Sequence, residues 1–206
     1  MKKTLLLSLM ATIILASCQK NVNSDRLSAA DSSGIWAPTL VDYQFSPSAT
    51  DPAIADNGQK HYSSVLAGMD TMKTLVVFLP GTYRSPVEYK AIINKAASMG
   101  YHVIGLSYPN SVAGNPVCKN TGDVTCHSRL RREIVDGIDR STAVSVNTTN
   151  CILNRLQKAL SYLAVQYPKN GWGQYCVNGT FYWNKIIMGG HSQGAQISGV
   201  MGKFYP

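Results

Sequence analysis

No apolar run in this chain of 206 residues reaches the roughly 20 residues that a helix needs to cross a bilayer. The longest, residues 5–16, is interrupted by Ser8 and Thr12. Charge is sparse at 15%, and the net value of +8 is scattered. The tightest basic group, Arg129, Arg131 and Arg132, is followed at once by Glu133, Asp136 and Asp139. That pattern describes a solvated mixed face and argues against a nucleic-acid partner. There is no C-x-x-C, and His61, His102, His127 and His191 have no ligand spacing with the cysteines, so neither a metal nor any other cofactor is implied. Residues 193–206 contain no Asp, Glu or His, an absence that bears on the chemistry below.

The amino terminus carries an address. Lys2 and Lys3 precede the short apolar run, the arrangement of a secretory signal. Leu15-Ala16-Ser17-Cys18 then resembles the bacterial lipobox. That resemblance implies cleavage before Cys18, lipidation of its sulfur, and a protein anchored in the bacterial cell envelope. Gln19 after the lipid site favours the outer membrane. A diacyl anchor with an added acyl chain holds a protein stably where one chain does not. Without Lys2 and Lys3 the charge becomes 17 − 11 = +6. Residues 18–38 are polar and small, a composition that cannot offset the entropy of ordering and reads as a tether. A folded domain is expected over residues 39–206.

With Cys18 lipidated, Cys118, Cys126, Cys151 and Cys176 remain, an even number that in an exported chain implies disulfides. Of the three possible pairings, Cys118–Cys126 with Cys151–Cys176 closes two contiguous loops and is the one expected.

Residues 41–45 and 62–66 have short strand patterns. Residues 74–79 form a continuous apolar run ending at Pro80-Gly81, as in a strand buried on both faces. Residues 86–99 begin with Pro, place Val87, Ile92, Ile93 and Ala96 near one face, and end before Gly100, which predicts a helix. A second apolar strand follows over 101–108. Strand, helix, strand is a βαβ unit and predicts parallel pairing. Residues 111–147 are long and polar, an excursion at the carboxyl edge of the sheet that would shape a ligand crevice, with a short helix at 129–136. Residues 148–165 carry Leu153, Leu156, Leu160 and Leu163 at helical spacing.

At 185–195 an apolar run enters Gly190-His191-Ser192-Gln193-Gly194 and leaves with Ile197, Val200 and Met201 at helical spacing. This fits G-x-S-x-G in strand–turn–helix context, the pattern that puts a serine on a strained turn at the end of a sheet. Glycine flanks the serine because a Cβ there would collide with the crossing backbone. The helix start offers N–H groups and a positive dipole end to a developing oxyanion.

Taken together, the order of elements over residues 74–204 and the G-H-S-Q-G elbow resemble the α/β-hydrolase family. The resemblance implies an α/β fold, a mostly parallel sheet with flanking helices, and a serine hydrolase that acts on a carboxylic ester or related acyl bond. No nucleic acid and no obligate protein partner is implied. Carried over residue by residue, Ser192 is the nucleophile, and Gln193 N–H is one oxyanion donor. Thr82 N–H, in the turn after residue 79, is the second, with Tyr83 as the alternative. The family order of serine, acid, histidine cannot be completed after Ser192. The resemblance therefore implies a longer enzyme extended by on the order of a hundred residues. A non-catalytic lipoprotein binding a ligand or glycan in the same crevice is the alternative, and a third is an upstream base, His127 or His102, oriented by Asp136 or Asp139.

Overall fold

The computed structural model describes residues 38–67 and 73–205. The expected signal segment at 1–17, Cys18, and nearly all of the tether lie outside the described residues, which belong to the compact unit 36–206.

Seven strands and six helices follow one another in the described chain. β1 (Thr39–Phe45) and β2 (His61–Ala67) flank the short helix α1 (Pro47–Thr50). β3 (Leu75–Leu79), α2 (Lys90–Ser98) and β4 (His102–Gly105) make the expected βαβ unit. The excursion holds α3 (Gly114–Cys118) and α4 (Cys126–Asp136). α5 (Ile152–Gln166) leads to a small hairpin, β5 (Cys176–Val177) and β6 (Thr180–Phe181), and then to β7 (Ile186–Gly190) and α6 (Gln193–Phe204).

The main sheet has the order β1-β2-β4-β3-β7. It is mixed, which corrects the expectation of a mostly parallel sheet. β4, β3 and β7 run parallel, while β1–β2 and β2–β4 pair antiparallel. Parallel neighbours need a crossover, usually a helix laid on the sheet. α2 supplies one between β3 and β4. Between β1 and β2 the only helix is the single turn of α1, and it packs on α5.

The apolar strands are buried on both faces because their side chains alternate. Leu75, Val77 and Leu79 face the larger core with α4, α5 and α6, where they meet Leu130, Leu156, Leu160 and Ile197. Phe78 points the other way and joins Tyr62, Val103, Ile93 and Ala97 beneath α2. The sheet thus sits between two apolar layers, with its parallel carboxyl ends at one edge.

The excursion is part of this core as well as a loop. Leu130, Ile134, Val135 and Val146 are buried, and the helix starts three residues before the expected 129. Its turn is organised by one buried carboxylate. Glu133 accepts the backbone N–H groups of Arg140 and Ser141 at 2.8 and 2.9 Å, and that of Val146 at 3.2 Å. The Cys118–Cys126 disulfide joins α3 to the start of α4 as expected. The second expected disulfide does not form. Cys151 and Cys176 are free thiols, because the Cys151 side chain is turned to cap α5, donating to Thr148 O and accepting from Asn154 N–H.

Asp42 ties β1 and β2 to α2. It accepts hydrogen bonds from Tyr62 Oη at 2.5 Å, Ser64 Oγ at 2.7 Å and Asn94 Nδ2 at 3.0 Å. Burial alone would raise its pKa, but these bonds and the charge of Lys90 overcome burial and hold it below the ordinary value. A carboxyl with a depressed folded pKa contributes stability that is present above its unfolded pKa and lost as pH falls through the folded one. Asp42→Asn is therefore expected to lower the denaturant midpoint at neutral pH and to flatten the acid limb of stability against pH. An acid limb identical to the parent's would remove Asp42 from this account.

Candidate active site

Ser192 stands between the end of β7 and the start of α6 with φ 52° and ψ −117°. A positive φ on a residue with a Cβ is strained and persists only where its surroundings enforce it. Here the enforcement is the backbone of β3. Leu79 O accepts the His191 N–H at 3.0 Å. A Cβ on Gly190 would lie 2.5 Å from that same oxygen, and one on Gly194 would lie 2.0 Å from it and 2.6 Å from Pro80 O. Both glycines expected at the elbow are thus required by close approach, and the turn is pinned against Leu79–Pro80.

The loop after β3 leans on the same turn. A Cβ placed on Gly81 would be 3.4 Å from Ser192 Cβ. Thr82 Oγ1 donates to Gln193 Oε1 at 2.6 Å, which brings together the two residues expected to form an oxyanion hole. Among the described residues, the amides of Thr82 and Gln193 donate to no backbone or side-chain acceptor. The alternative donor, Tyr83, is corrected: its N–H is bonded to Asn110 O at 3.1 Å. A bond already made cannot also serve an oxyanion.

Residues beyond β4 hold this loop in place, and sequence reading missed them. Asn110 is buried, and its Nδ2 donates to Gly81 O at 2.8 Å and Arg84 O at 2.9 Å. Tyr108 Oη donates to Pro80 O at 2.7 Å. From the other side, Tyr89 Oη accepts the Gly81 N–H at 3.4 Å and meets His191 Nδ1 at 2.9 Å. A tyrosine or asparagine just outside a strand has no spacing that would have revealed these roles.

None of the histidines is hydrogen-bonded to Ser192. His102 is buried on β4, with Nε2 donating to Asn170 O at 2.5 Å and Nδ1 meeting Tyr175 Oη at 2.8 Å. Since a carbonyl can only accept, Nε2 carries the proton, and burial lowers the pKa against the opposing effect of the Asn170 carbonyl. It is a structural residue and not the upstream base considered above. His127 lies on α4 with Nδ1 buried beside Gly114. His191 turns to Tyr89. His61 accepts from Ser107 N–H at 3.0 Å. Asp136 orients no histidine either: it pairs with Arg140 at 2.5 Å and accepts from Tyr205 Oη at 3.1 Å, while Asp139 is exposed.

The arrangement therefore places an exposed serine at the amino end of α6, with the Thr82 and Gln193 amides without acceptors among the described residues. No group of three or more His, Cys, Asp or Glu able to hold a metal occurs among the described residues. Compared with protein-family profiles, curated proteins and solved structures, the chain matches none.

The glycines give a direct check on the elbow. Gly194→Ala is expected to cost at least about 3 kcal/mol, since backbone has to move to admit the methyl group. Gly199, on the same helix, has nothing within 4 Å of a built Cβ. Gly199→Ala should instead gain up to about 1 kcal/mol of helix propensity. Chemical denaturation of both variants tests the pair, and equal effects would contradict the packing described.

Proposed function

We propose that this protein is a serine hydrolase of the α/β-hydrolase type, cleaving a carboxylic ester or related acyl bond of a small substrate through an acyl-enzyme on Ser192. The observation that carries the reading is the strained serine at φ 52°, pinned by two obligatory glycines beside a pair of unbonded amides. Such strain is maintained only where structure over-determines it, and it clusters at sites of chemistry. In the first step Ser192 Oγ would bond to the acyl carbon and lose its proton, while Thr82 and Gln193 N–H stabilise the negative oxygen. Collapse would expel the alcohol with a proton and leave the acyl group on the serine. Water would then release the acid.

Proton removal is the step that the described residues do not serve. The proposal leaves it to a base that is not among the described residues, and the 206-residue chain is expected to be slow. An oxyanion hole and binding without a working triad leave roughly 10³–10⁴-fold over water. The absence of a base at Ser192 also supports a second reading, a non-catalytic surface lipoprotein that uses the same crevice to bind a ligand or glycan.

Acylation separates the two. With excess p-nitrophenyl acetate and added imidazole as a diffusible base, intact-mass analysis should show a single acetyl adduct that maps to Ser192 and is absent from Ser192→Ala. A fluorophosphonate probe should modify the same residue slowly. Adducts elsewhere, or none after prolonged exposure, would leave only the binding reading.

Anchorage is part of the proposal. Cys18 would carry lipid and place the domain at the cell envelope, in the outer membrane. Cells expressing Cys18→Ser are expected to lose all incorporation of a fatty-acid probe into the protein, and unchanged incorporation would refute the anchor.

A further inference from the structure

One strand over from the elbow, at the same carboxyl edge of the sheet, lies a cavity of about 440 Å³. Its wall includes Asn57, Gln59, Asn110, Ser111 and Asn147, and Arg155 of α5. Among the described residues no Asp or Glu lines it. Its size is that of a small-ligand site, and Ser192 is not part of it.

Arg155 is the unusual member. It is 1% exposed and forms no ion pair among the described residues. The charge of Asp56 and the Cys151 thiol act on it only through space, and the Asp56 carboxylate accepts from Ser48 Oγ at 3.1 Å. Its Nε donates to Asn150 O at 2.9 Å, and its Nη2 donates to Ala55 O at 2.8 Å and Asn150 Oδ1 at 3.2 Å. Those bonds fix the guanidinium in place but bring no countercharge. Nη1 is buried with no partner, and so is Gln59 Oε1 on the cavity wall. Burial pushes the Arg155 pKa down only to about 10, so the group remains a cation at neutral pH. Burial, and after it the same guanidinium, pushes His61 down to about 3, so that side chain stays neutral.

A buried cation with no carboxylate in contact is costly, and structure that holds one in a fixed pose invites an anion. The amide and hydroxyl groups around it would be left unpaired by an apolar ligand and satisfied by one rich in hydroxyls. We infer that this cavity is a binding site for a small hydroxylated carboxylate, of the hydroxy-acid or sugar-acid class, with its carboxylate drawn to Arg155. The site is independent of whether Ser192 reacts. Tyr83, on the cavity wall, adjoins Thr82, so a bound anion would sit beside the oxyanion loop.

Titration of the purified protein with D-glucuronate, followed by calorimetry and by amide NMR shifts, tests the site. Saturable binding is expected, with shifts at Tyr83, Asn110, Asn147 and Arg155, and D-glucose should bind at least about tenfold more weakly because it offers nothing to the guanidinium. Arg155→Met should lose at least about tenfold in affinity. Because Arg155 also holds two loop carbonyls, a second variant, Ser145→Trp, leaves the cation in place and fills the cavity. It should fold and bind nothing. Inorganic phosphate should compete with glucuronate for the same charge. Glucose binding as tightly as glucuronate, retention of binding in Ser145→Trp, failure of phosphate to compete, or no saturable binding of glucuronate would each overturn the assignment.

Discussion

Everything at the candidate site depends on how closely one carbonyl is approached. Leu79 O takes the His191 N–H and sits where a Cβ on residue 190 or 194 would have to be. With glycine at both places, the β7–α6 turn can press against the end of β3, and Ser192 has no relaxed backbone to fall into. Strain at the serine is balanced by this packing and by the burial of Ile197 and Met201 under α6. The turn is therefore held by the sheet that it abuts, and the Ser192 backbone is fixed by packing more than by local preference.

A mixed sheet puts this stiffness where it can be used. The three parallel strands β4, β3 and β7 end at one edge, and the segments leaving them interlock. Residues after β4 clamp the loop after β3 through Tyr108 and Asn110, and that loop meets the elbow through Thr82 and Gln193. Glu133 does the comparable task for the excursion, gathering three amides into one buried carboxylate. Each link joins segments distant in sequence, so the edge is set only when the whole sheet is formed.

What could be read in the sequence was what local physics dictates. The run at 74–79 could only be a doubly buried strand, and Leu153, Leu156, Leu160 and Leu163 could only share a helix face. Gly190 and Gly194 announced a close approach. Illegible were the contacts that need three dimensions. Cys151 and Cys176 satisfy the arithmetic of paired cysteines, yet the Cys151 thiol serves α5 as a cap. β1 and β2 have strand patterns but nothing in them reveals direction. Thr82 is the expected oxyanion donor and Tyr83 the alternative, and only the fold shows that Asn110 O already takes the Tyr83 amide. Arg155 looks in sequence like one more cation on a helix, and its burial without an ion-pair partner among the described residues appears only on folding.

The loop at residues 81–84 links the two regions of the edge. Thr82 is tied to Gln193, and the next residue, Tyr83, has a left-handed backbone at φ 61° and lines the cavity that holds Arg155. One peptide unit thus separates a residue bonded to the elbow from a residue on the cavity wall. The Tyr83 conformation is strained for a residue with a Cβ, and its bond to Asn110 maintains it. Asn110 is on the cavity wall too. Asn110 thus ties the cavity wall to this loop, through Nδ2 to Gly81 O and Arg84 O and through its carbonyl to the Tyr83 N–H.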